Sequence, residues 1–233
     1  MTTIQIIKTT LLAFVALFGM QTIKAAERFV NFNQGDLLLN PQKQVTITTD
    51  EADFKAVDIA VHALAADFGR VTGQDAVLQH QADAKIIVGT IGHSKFIDQL
   101  AKKKLIDATQ LKGKREKFII TTVGKQLIIA GSDRRGTVYG IYELSAQMGV
   151  SPWYYWADVP TERHEEIYVN QGIYTDGEPA VAYRGIFLND EAPCLSTWIK
   201  NTFGTNYADH HFYERVFELV LRLKGNMMWP AMW

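Results

Sequence analysis

Short runs of β-branched residues alternate with amphipathic helical patterns along most of this 233-residue chain. The run 84–89 ends on glycine and predicts a buried strand. Apolar residues recur every three or four positions over 53–70, which predicts a helix with one buried stripe. Runs 118–123 and 126–130 flank Gly124 and predict a tight hairpin. This alternation of strands and helices predicts an α/β layer domain.

The composition is that of a globular protein, with 47% hydrophobic and 21% charged residues. A formal net charge of -1 argues against a nucleic-acid partner, because a nucleic-acid binder needs a basic face. Cys194 is the single cysteine, so an internal disulfide is excluded, and we expect it to be a buried core thiol.

Residues 1–26 have the pattern of a signal peptide. Lys8 gives a basic start, residues 9–20 are mostly apolar, and Ala25 and Ala26 offer small residues for cleavage. We therefore predict an exported protein, periplasmic or extracellular, although an uncleaved anchor stays possible because the residues before the cut are not ideal. No later segment is apolar enough to span a membrane.

Two domains are predicted after the signal peptide. Residues 27–175 form the α/β domain, and the composition becomes polar and rich in glycine and proline around 170–179. Residues 180–233 then predict a strand, a helix and the start of a second strand, which is a βαβ unit. A complete (β/α)₈ barrel uses about 250 residues, so we interpret 180–233 as the first elements of a truncated barrel.

Candidate site residues directly follow the predicted strand 181–188. They are Asn189, Asp190 and Glu191, and loops at the carboxyl ends of barrel strands build active sites. The alternative is a turn with an Asp-capped exit. Amide and carboxylate groups placed there can bind sugar hydroxyls or move protons. Adjacent side chains of an extended segment point to opposite sides, so at most one of the two carboxylates can face a sugar. A glycosidase needs two facing carboxyl groups, so the second must come from elsewhere.

Trp229 and Trp233 are four residues apart and share one face if the segment is a strand. Tryptophan rings stack on sugars and also fill barrel cores. We expect core packing for Trp229, and we assign Trp233, nearer the rim, to substrate binding.

Two other chemistries are weaker. His210, His211 and Glu214 share a predicted first helical turn, but a further ligand is not in sight, so we predict no metal. Residues 131–137 have the glycine spacing of a phosphate loop but lack its lysine, which favours a strand-to-helix turn. No cofactor is predicted.

Four motifs in order resemble glycoside hydrolase family 115; they are residues 129–145, 149–160, 183–193 and 223–233. The resemblance implies an N-terminal α/β domain followed by a (β/α)₈ barrel. It implies an α-glucuronidase that removes glucuronic acid or its 4-O-methyl ether from xylan side branches with inversion. The substrate would be glucuronoxylan or a xylo-oligosaccharide, and the oligomeric state is not predicted.

The resemblance also bears on the site. It implies that Asn189, Asp190 and Glu191 contribute to the substrate pocket, with Asp190 as the candidate catalytic residue. Family members are several times longer than this chain, so we expect an N-terminal fragment that is inactive alone. The alternative is a non-catalytic exported carbohydrate-binding or accessory module.

Overall fold

The computed structural model describes residues 28–189 and 192–229; the predicted signal peptide, Asp190, Glu191 and Trp233 lie outside them. The first part contains β1 (Val30–Asn31), β2 (Leu37–Leu38), β3 (Thr46–Thr48), α1 (Lys55–Thr72), β4 (Val77–Gln79), β5 (Ile86–Thr90), α2 (Lys95–Lys102), a short 3₁₀ helix (Ala108–Gln110), β6 (Phe118–Val123), β7 (Gln126–Gly131), α3 (Arg134–Gln147), β8 (Tyr168–Val169) and β9 (Ile173–Tyr174). The second part contains β10 (Gly185–Phe187), α4 (Cys194–Phe203), α5 (His210–Arg222) and β11 (Met227–Trp229).

A six-stranded sheet of order β4-β3-β5-β7-β6-β9 forms the centre of the first part. Strands β4, β3, β5 and β7 are parallel, and β6 and β9 are antiparallel to their neighbours. A parallel pair needs a crossover connection, and α1 and α2 lie in these connections. The predicted α/β class is confirmed. A separate small sheet of order β1-β8-β2 lies beside it.

Both faces of the large sheet are covered, because side chains alternate along each strand. In β5, Ile86 and Val88 belong to the main core with α1 and α3, whereas Ile87 packs in a second cluster with α2. In β7, Ile129 belongs to the main core and Ile128 belongs to the second cluster. The uninterrupted apolar runs of the sequence are therefore strands buried on two sides.

Helix α1 forms as predicted and ends at Gly73. Val57, Leu64 and Phe68 are on its buried face. Gly73 has a φ of 89°, and its N–H donates to the Gly69 carbonyl at 2.9 Å. Glycine adopts this left-handed conformation without the steric cost of a Cβ, which ends the helix cleanly.

Helix α2 begins after Ser94, but the serine does not cap it as a sequence pattern of this kind predicts. The buried Ser94 hydroxyl has no hydrogen-bond partner within the described part of the chain. The Lys95 N–H instead donates to the Asp50 carboxylate at 2.7 Å. Helix α3 does have a local cap, because Gly136 N–H donates to Asp133 Oδ1 at 2.8 Å. Residues 131–137 are thus the predicted strand-to-helix turn.

The second part is the predicted βαβ unit with one additional helix. Strands β10 and β11 pair in parallel, and α4 and α5 connect them. Closure of such a unit into a (β/α)₈ barrel stays a prediction, as does the domain division at 175–180. None of the helices within residues 28–189 and 192–229 combines the length and the hydropathy needed to cross a membrane.

Cys194 is the first residue of α4 and is exposed, so the expectation of a buried core thiol is wrong. The physical reason is the position of the helix. Ile199 is the one fully buried residue of α4, Leu195 and Phe203 are partly buried beside it, and Cys194 lies on the exposed side.

Candidate functional site

Strands β10 and β11 have one covered face and one open face. Ile186, Leu188 and Met228 pack against a cluster of buried residues from α4 and α5. Phe187 and Trp229 point the other way and are 62% and 65% exposed. Their rings meet edge to face with centroids 5.9 Å apart. The open face is therefore apolar and aromatic at its carboxyl end.

The predicted core packing of Trp229 is not seen within the described residues, where its side chain is 65% exposed, and it stays a prediction for a complete barrel. The residue lies on the open face, over which the described residues place no other element. In a barrel, the face turned away from the helices lines the interior, so neighbouring strands are what would cover Trp229. Trp233 lies outside the described residues, and its role stays a prediction.

The carboxyl ends of the two strands lie side by side. The Leu188 N–H donates to the Trp229 carbonyl at 3.0 Å, which carries the pairing one residue past β10. Asn189 follows and is exposed. Asp190 and Glu191 lie outside the described residues, so their contact with a sugar stays a prediction. The structure thus brings Asn189 near Trp229, at the edge where the sequence placed the site.

The starting ends of the same strands are locked together. The Arg184 N–H donates to Asn226 Oδ1 at 2.9 Å, and the Asn226 N–H donates to the Arg184 carbonyl at 2.7 Å. Arg184 Nε also donates to the Lys224 carbonyl at 3.0 Å. This reciprocal arrangement fixes the register in which Gly185 lies opposite Met227.

The side chain of Glu116, from the first part, contacts both Arg184 and Asn226. Its side chain is fully buried and accepts from Arg135 Nε at 2.6 Å, Arg184 Nη2 at 2.7 Å and Asn226 Nδ2 at 2.8 Å. Burial by itself raises the pKa of Glu116, but Asn226, Arg184 and Arg135 outweigh it and hold the pKa below its ordinary value. The carboxylate is therefore charged and satisfied. We call Glu116, Arg135, Arg184 and Asn226 the strand clamp.

Tyr139 of α3 lies beside the strand clamp. Its hydroxyl donates to the Gly225 carbonyl at 2.9 Å. Burial, together with the negative charge of Glu116, raises the pKa of Tyr139 to about 12, so the hydroxyl keeps its proton and remains a donor.

A second buried ion pair joins α1 to α5. Arg222 donates to both oxygens of Asp67, at 2.8 and 3.1 Å, and both side chains are almost completely buried. Arg222 also donates to Glu218, and its guanidinium lies over the ring of Tyr142. Burial alone would lower the pKa of Arg222, but the charge of Asp67 and its hydrogen bonds raise it above the ordinary value. The planar two-oxygen geometry suits arginine.

Lys224, just after α5, ties the same two parts at a third place. Its ammonium contacts Glu143 of α3 at 2.5 Å and also contacts Asp176, which lies in the linker between β9 and β10. Burial would lower the pKa of Lys224, but Glu143 and Asp176 hold it above its ordinary value. The first and second parts are therefore joined by buried, paired charges.

The side chains that cluster near the start of α5 differ from the set weighed, and not predicted, as metal ligands in the sequence. Asp209, His210 and His211 have ligand atoms within 4.8 Å of one another, whereas Glu214 is not part of the group. Asp209 Oδ1 already accepts from the N–H groups of His211 and Phe212, at 3.0 and 3.3 Å, as the N-cap of α5. Helix capping accounts for this aspartate.

Sequence reasoning missed Glu116 and Asp67 altogether. Arg184 and Asn226 lie inside two of the four family motifs. Their spacing does not indicate a common carboxylate partner, because Glu116 is 68 residues from Arg184 in the sequence.

Two family models match the chain. Residues 176–233 match Glycosyl hydrolase family 115, and residues 36–144 match Glycosyl hydrolase family 67 N-terminus. No protein in the comparison with curated proteins matches this chain.

Solved structures agree with the family match. The chain is 37% identical to a family GH115 4-O-methyl-α-glucuronidase, BtGH115A, described as specific for decorated arabinogalactans; the TM-score is 0.76, over 84% of this chain and 26% of that one. A β-hexosaminidase from Streptomyces plicatus, solved with the product GlcNAc, gives a TM-score of 0.54 at 13% identity, over 87% of this chain and 32% of that one, and shows the fold alone. The chain thus spans about a quarter of the length of its family 115 relative.

The chain therefore matches family 115 both in a family model over residues 176–233 and in a solved member that is 37% identical over 84% of the chain. These matches place the protein among the glycoside hydrolases. Within that class, the chain belongs to glycoside hydrolase family 115, as its four motifs predicted.

Proposed function

We propose that the protein is an α-glucuronidase that removes glucuronic acid, or its 4-O-methyl ether, from the side chains of glucuronoxylan. The observation that carries this proposal is the 37% identity, over 84% of the chain, to an enzyme named as a 4-O-methyl-α-glucuronidase. That relative is described as specific for decorated arabinogalactans. The sugar that is removed supports the proposal, whereas the polysaccharide that carries it, glucuronoxylan or arabinogalactan, has to be decided by experiment.

The site proposed for this reaction is the loop after β10. Asp190 is the carboxylate assigned to the sugar: it orients the attacking water or accepts hydrogen bonds from ring hydroxyls. Asn189 binds a further hydroxyl, and Glu191 contributes to the substrate pocket beside it. Trp233 stacks on a sugar ring. Support comes from the exposed position of Asn189 at the carboxyl end of β10, beside Trp229.

A second carboxyl group and a cation complete the proposed chemistry. Inversion needs two carboxyl groups about 6.5–9.5 Å apart, one as acid and one as base. A uronic acid is negatively charged, so a carboxylate beside it must face the water or the hydroxyls, and a cationic residue must hold the uronate. We assign both missing groups to later barrel strands, and we therefore propose that the 233-residue chain is inactive alone.

Export to the periplasm or the exterior is part of the same proposal, because polysaccharides of this size are outside the cell. Residues 1–26 are the proposed signal peptide. N-terminal sequencing of protein recovered from the medium or the periplasm tests this: a start near Glu27 supports cleavage, and an intact Met1 contradicts it.

The alternative is a non-catalytic exported module that binds carbohydrate. Its supporting observation is the exposed aromatic pair Phe187 and Trp229, which would bind sugar without chemistry.

The deciding experiment incubates the full-length enzyme that contains this sequence with three substrates. These are glucuronoxylan, the same xylan after chemical removal of its uronic acids, and a decorated arabinogalactan. Release of uronic acid from glucuronoxylan is the expected result. Release from arabinogalactan alone would move the substrate to that polysaccharide, and binding with no release from any substrate would favour the non-catalytic module.

A further inference from the structure

The strand clamp lies at the end of β10 and β11 opposite to the proposed site. Arg184 and Asn226 precede the two strands, whereas Asn189 and Trp229 follow or end them. Each strand is three residues long, so the clamp and the site are separated by about 10 Å along β11 and about 17 Å along β10. A shift of one strand along the other at the clamp is therefore carried directly to the site.

Glu116 is held in place more firmly than a surface carboxylate. Its backbone has a φ of 53°, a left-handed conformation that is uncommon for residues other than glycine. Its N–H donates to Asp133 Oδ2 at 2.9 Å, and Asp133 is in turn the N-cap of α3. A non-glycine residue in this conformation needs surrounding structure to hold it, which points to a requirement for its side chain.

The carboxylate contacts one helix and the residues that directly precede both strands. Oε1 accepts from Arg135 and Asn226, and Oε2 accepts from Arg184. Arg135 belongs to α3, so the first part of the chain provides a fixed reference for the two strands of the second part. The amide of Asn226 also donates to the Ala182 carbonyl at 2.8 Å, so it ties the segment before β10 as well.

We propose that Glu116 is a positioning residue for the reaction: it fixes the relative register of β10 and β11 and so the placement of the loop that carries Asn189 and Asp190. This inference rests on the proposed function for its kinetic test. Glu116 acts through the strands, since its carboxylate is buried at their far end and occupied by three protein donors.

The variant Glu116→Gln tests the proposal in the full-length enzyme. A glutamine keeps the volume but has one acceptor oxygen and presents an NH₂ group to Arg184 or to Arg135 and Asn226. We expect kcat to fall on the order of tenfold to a hundredfold with KM within about twofold, because small misplacements of reacting groups cost this much in rate. Asn226→Ala is the second variant, for use if Glu116→Gln does not fold.

Asp67→Asn is the matched control. It breaks the other buried ion pair between the two parts, but that pair holds α5 and makes no contact with β10 or β11 among the described residues. We expect kcat of Asp67→Asn to stay within about twofold of wild type at a temperature where circular dichroism shows both variants folded. Equal losses of kcat in Glu116→Gln and Asp67→Asn, or no loss in Glu116→Gln, would overturn the positioning role.

Amide hydrogen exchange separates a failure of this inference from a failure of the proposed function. We expect faster exchange of Leu188 and Met227 in Glu116→Gln than in Asp67→Asn, whether or not the protein releases uronic acid. If wild type is inactive on every substrate but this selective loss of protection is seen, the proposed function fails and the clamp stands. Unchanged protection in Glu116→Gln overturns the clamp.

Discussion

Single residues carry the chemistry proposed for this chain, and Asp190 is the first to test. Changing Asp190→Ala in the full-length enzyme should lower turnover at least about a hundredfold, the lower end for a positioned acid-base group. Glu191→Ala should cost less, because Glu191 is assigned to the substrate pocket and not to the acid-base step. Asn189→Ala is the comparison from the same loop. Near-normal turnover of a correctly folded Asp190→Ala enzyme would remove Asp190 from the site.

The pair Asp67 and Arg222 is the residue-scale test of how the two parts are held together. Changing Asp67→Asn leaves the buried guanidinium of Arg222 with only Glu218 as a charged partner, and such losses cost about 3–5 kcal/mol. Urea unfolding of the chain measures this as a lower midpoint. The double variant Asp67→Leu with Arg222→Met should recover most of the loss. A single variant within about 0.5 kcal/mol of wild type would contradict the account.

Buried charges of this kind were beyond sequence analysis for a physical reason. The pattern of α1 predicted its apolar stripe correctly, but Asp67 lies in the same buried face and its partner is 155 residues away. Periodicity reports which face is buried and gives no information on which distant charge compensates an acid there. The same holds for Glu116 in the strand clamp.

At the scale of elements, β10 depends on a glycine. A Cβ at Gly185 would lie 1.8 Å from the carbonyl oxygen of Met227, so any side chain there pushes β10 and β11 apart. Gly185→Ala should destabilise the chain by about 1–3 kcal/mol, as overpacking does elsewhere. Phe187→Ala, in the same strand but on the open face, should cost less. Equal unfolding midpoints for Gly185→Ala and wild type would contradict this close approach.

Elements were predicted well where their patterns are long. α1, β5 and the β6–β7 hairpin lie where their sequence patterns predicted them, within one or two residues. Helix α4 was missed, because only Ile199 is buried and a surface helix with one buried residue has no apolar periodicity to detect. β8 and β9 were missed because strands of two residues are defined by their partners in the sheet.

At the scale of the whole molecule, the linker is the segment between β9 and β10. Its exposure predicts that a protease can cut it, whereas the contacts between the two parts predict that they stay together. Val181 and Tyr183 are 61% and 74% exposed, so a protease should cut the linker near them. The strand clamp and the Asp67–Arg222 pair should nevertheless keep the cut pieces together. Limited proteolysis followed by size-exclusion chromatography checks this. We expect the pieces to elute together in buffer and apart in urea; separation in buffer alone would show that the two parts are independent.

The edge of the sheet that carries the candidate site was predicted from the pattern of parallel strands more than from the site's own residues. Parallel strands bring their carboxyl ends to one edge, so the sequence could place Asn189 at that edge, but it did not predict that Trp229 lies beside it. The exposure of Trp229 could not be predicted, because tryptophan at the end of a barrel strand suits both a core and a rim. The covering strands decide between the two.

The central proposal is that this chain is part of an inverting α-glucuronidase. Proton NMR of glucuronoxylan during hydrolysis by the full-length enzyme tests it most directly, because the anomeric signal of the first product reports the stereochemistry before the sugar equilibrates. Inversion of an α-linked sugar predicts that β-glucuronic acid, or its 4-O-methyl ether, appears first. Initial release of the α-anomer, or no release of uronic acid at all, would contradict the account.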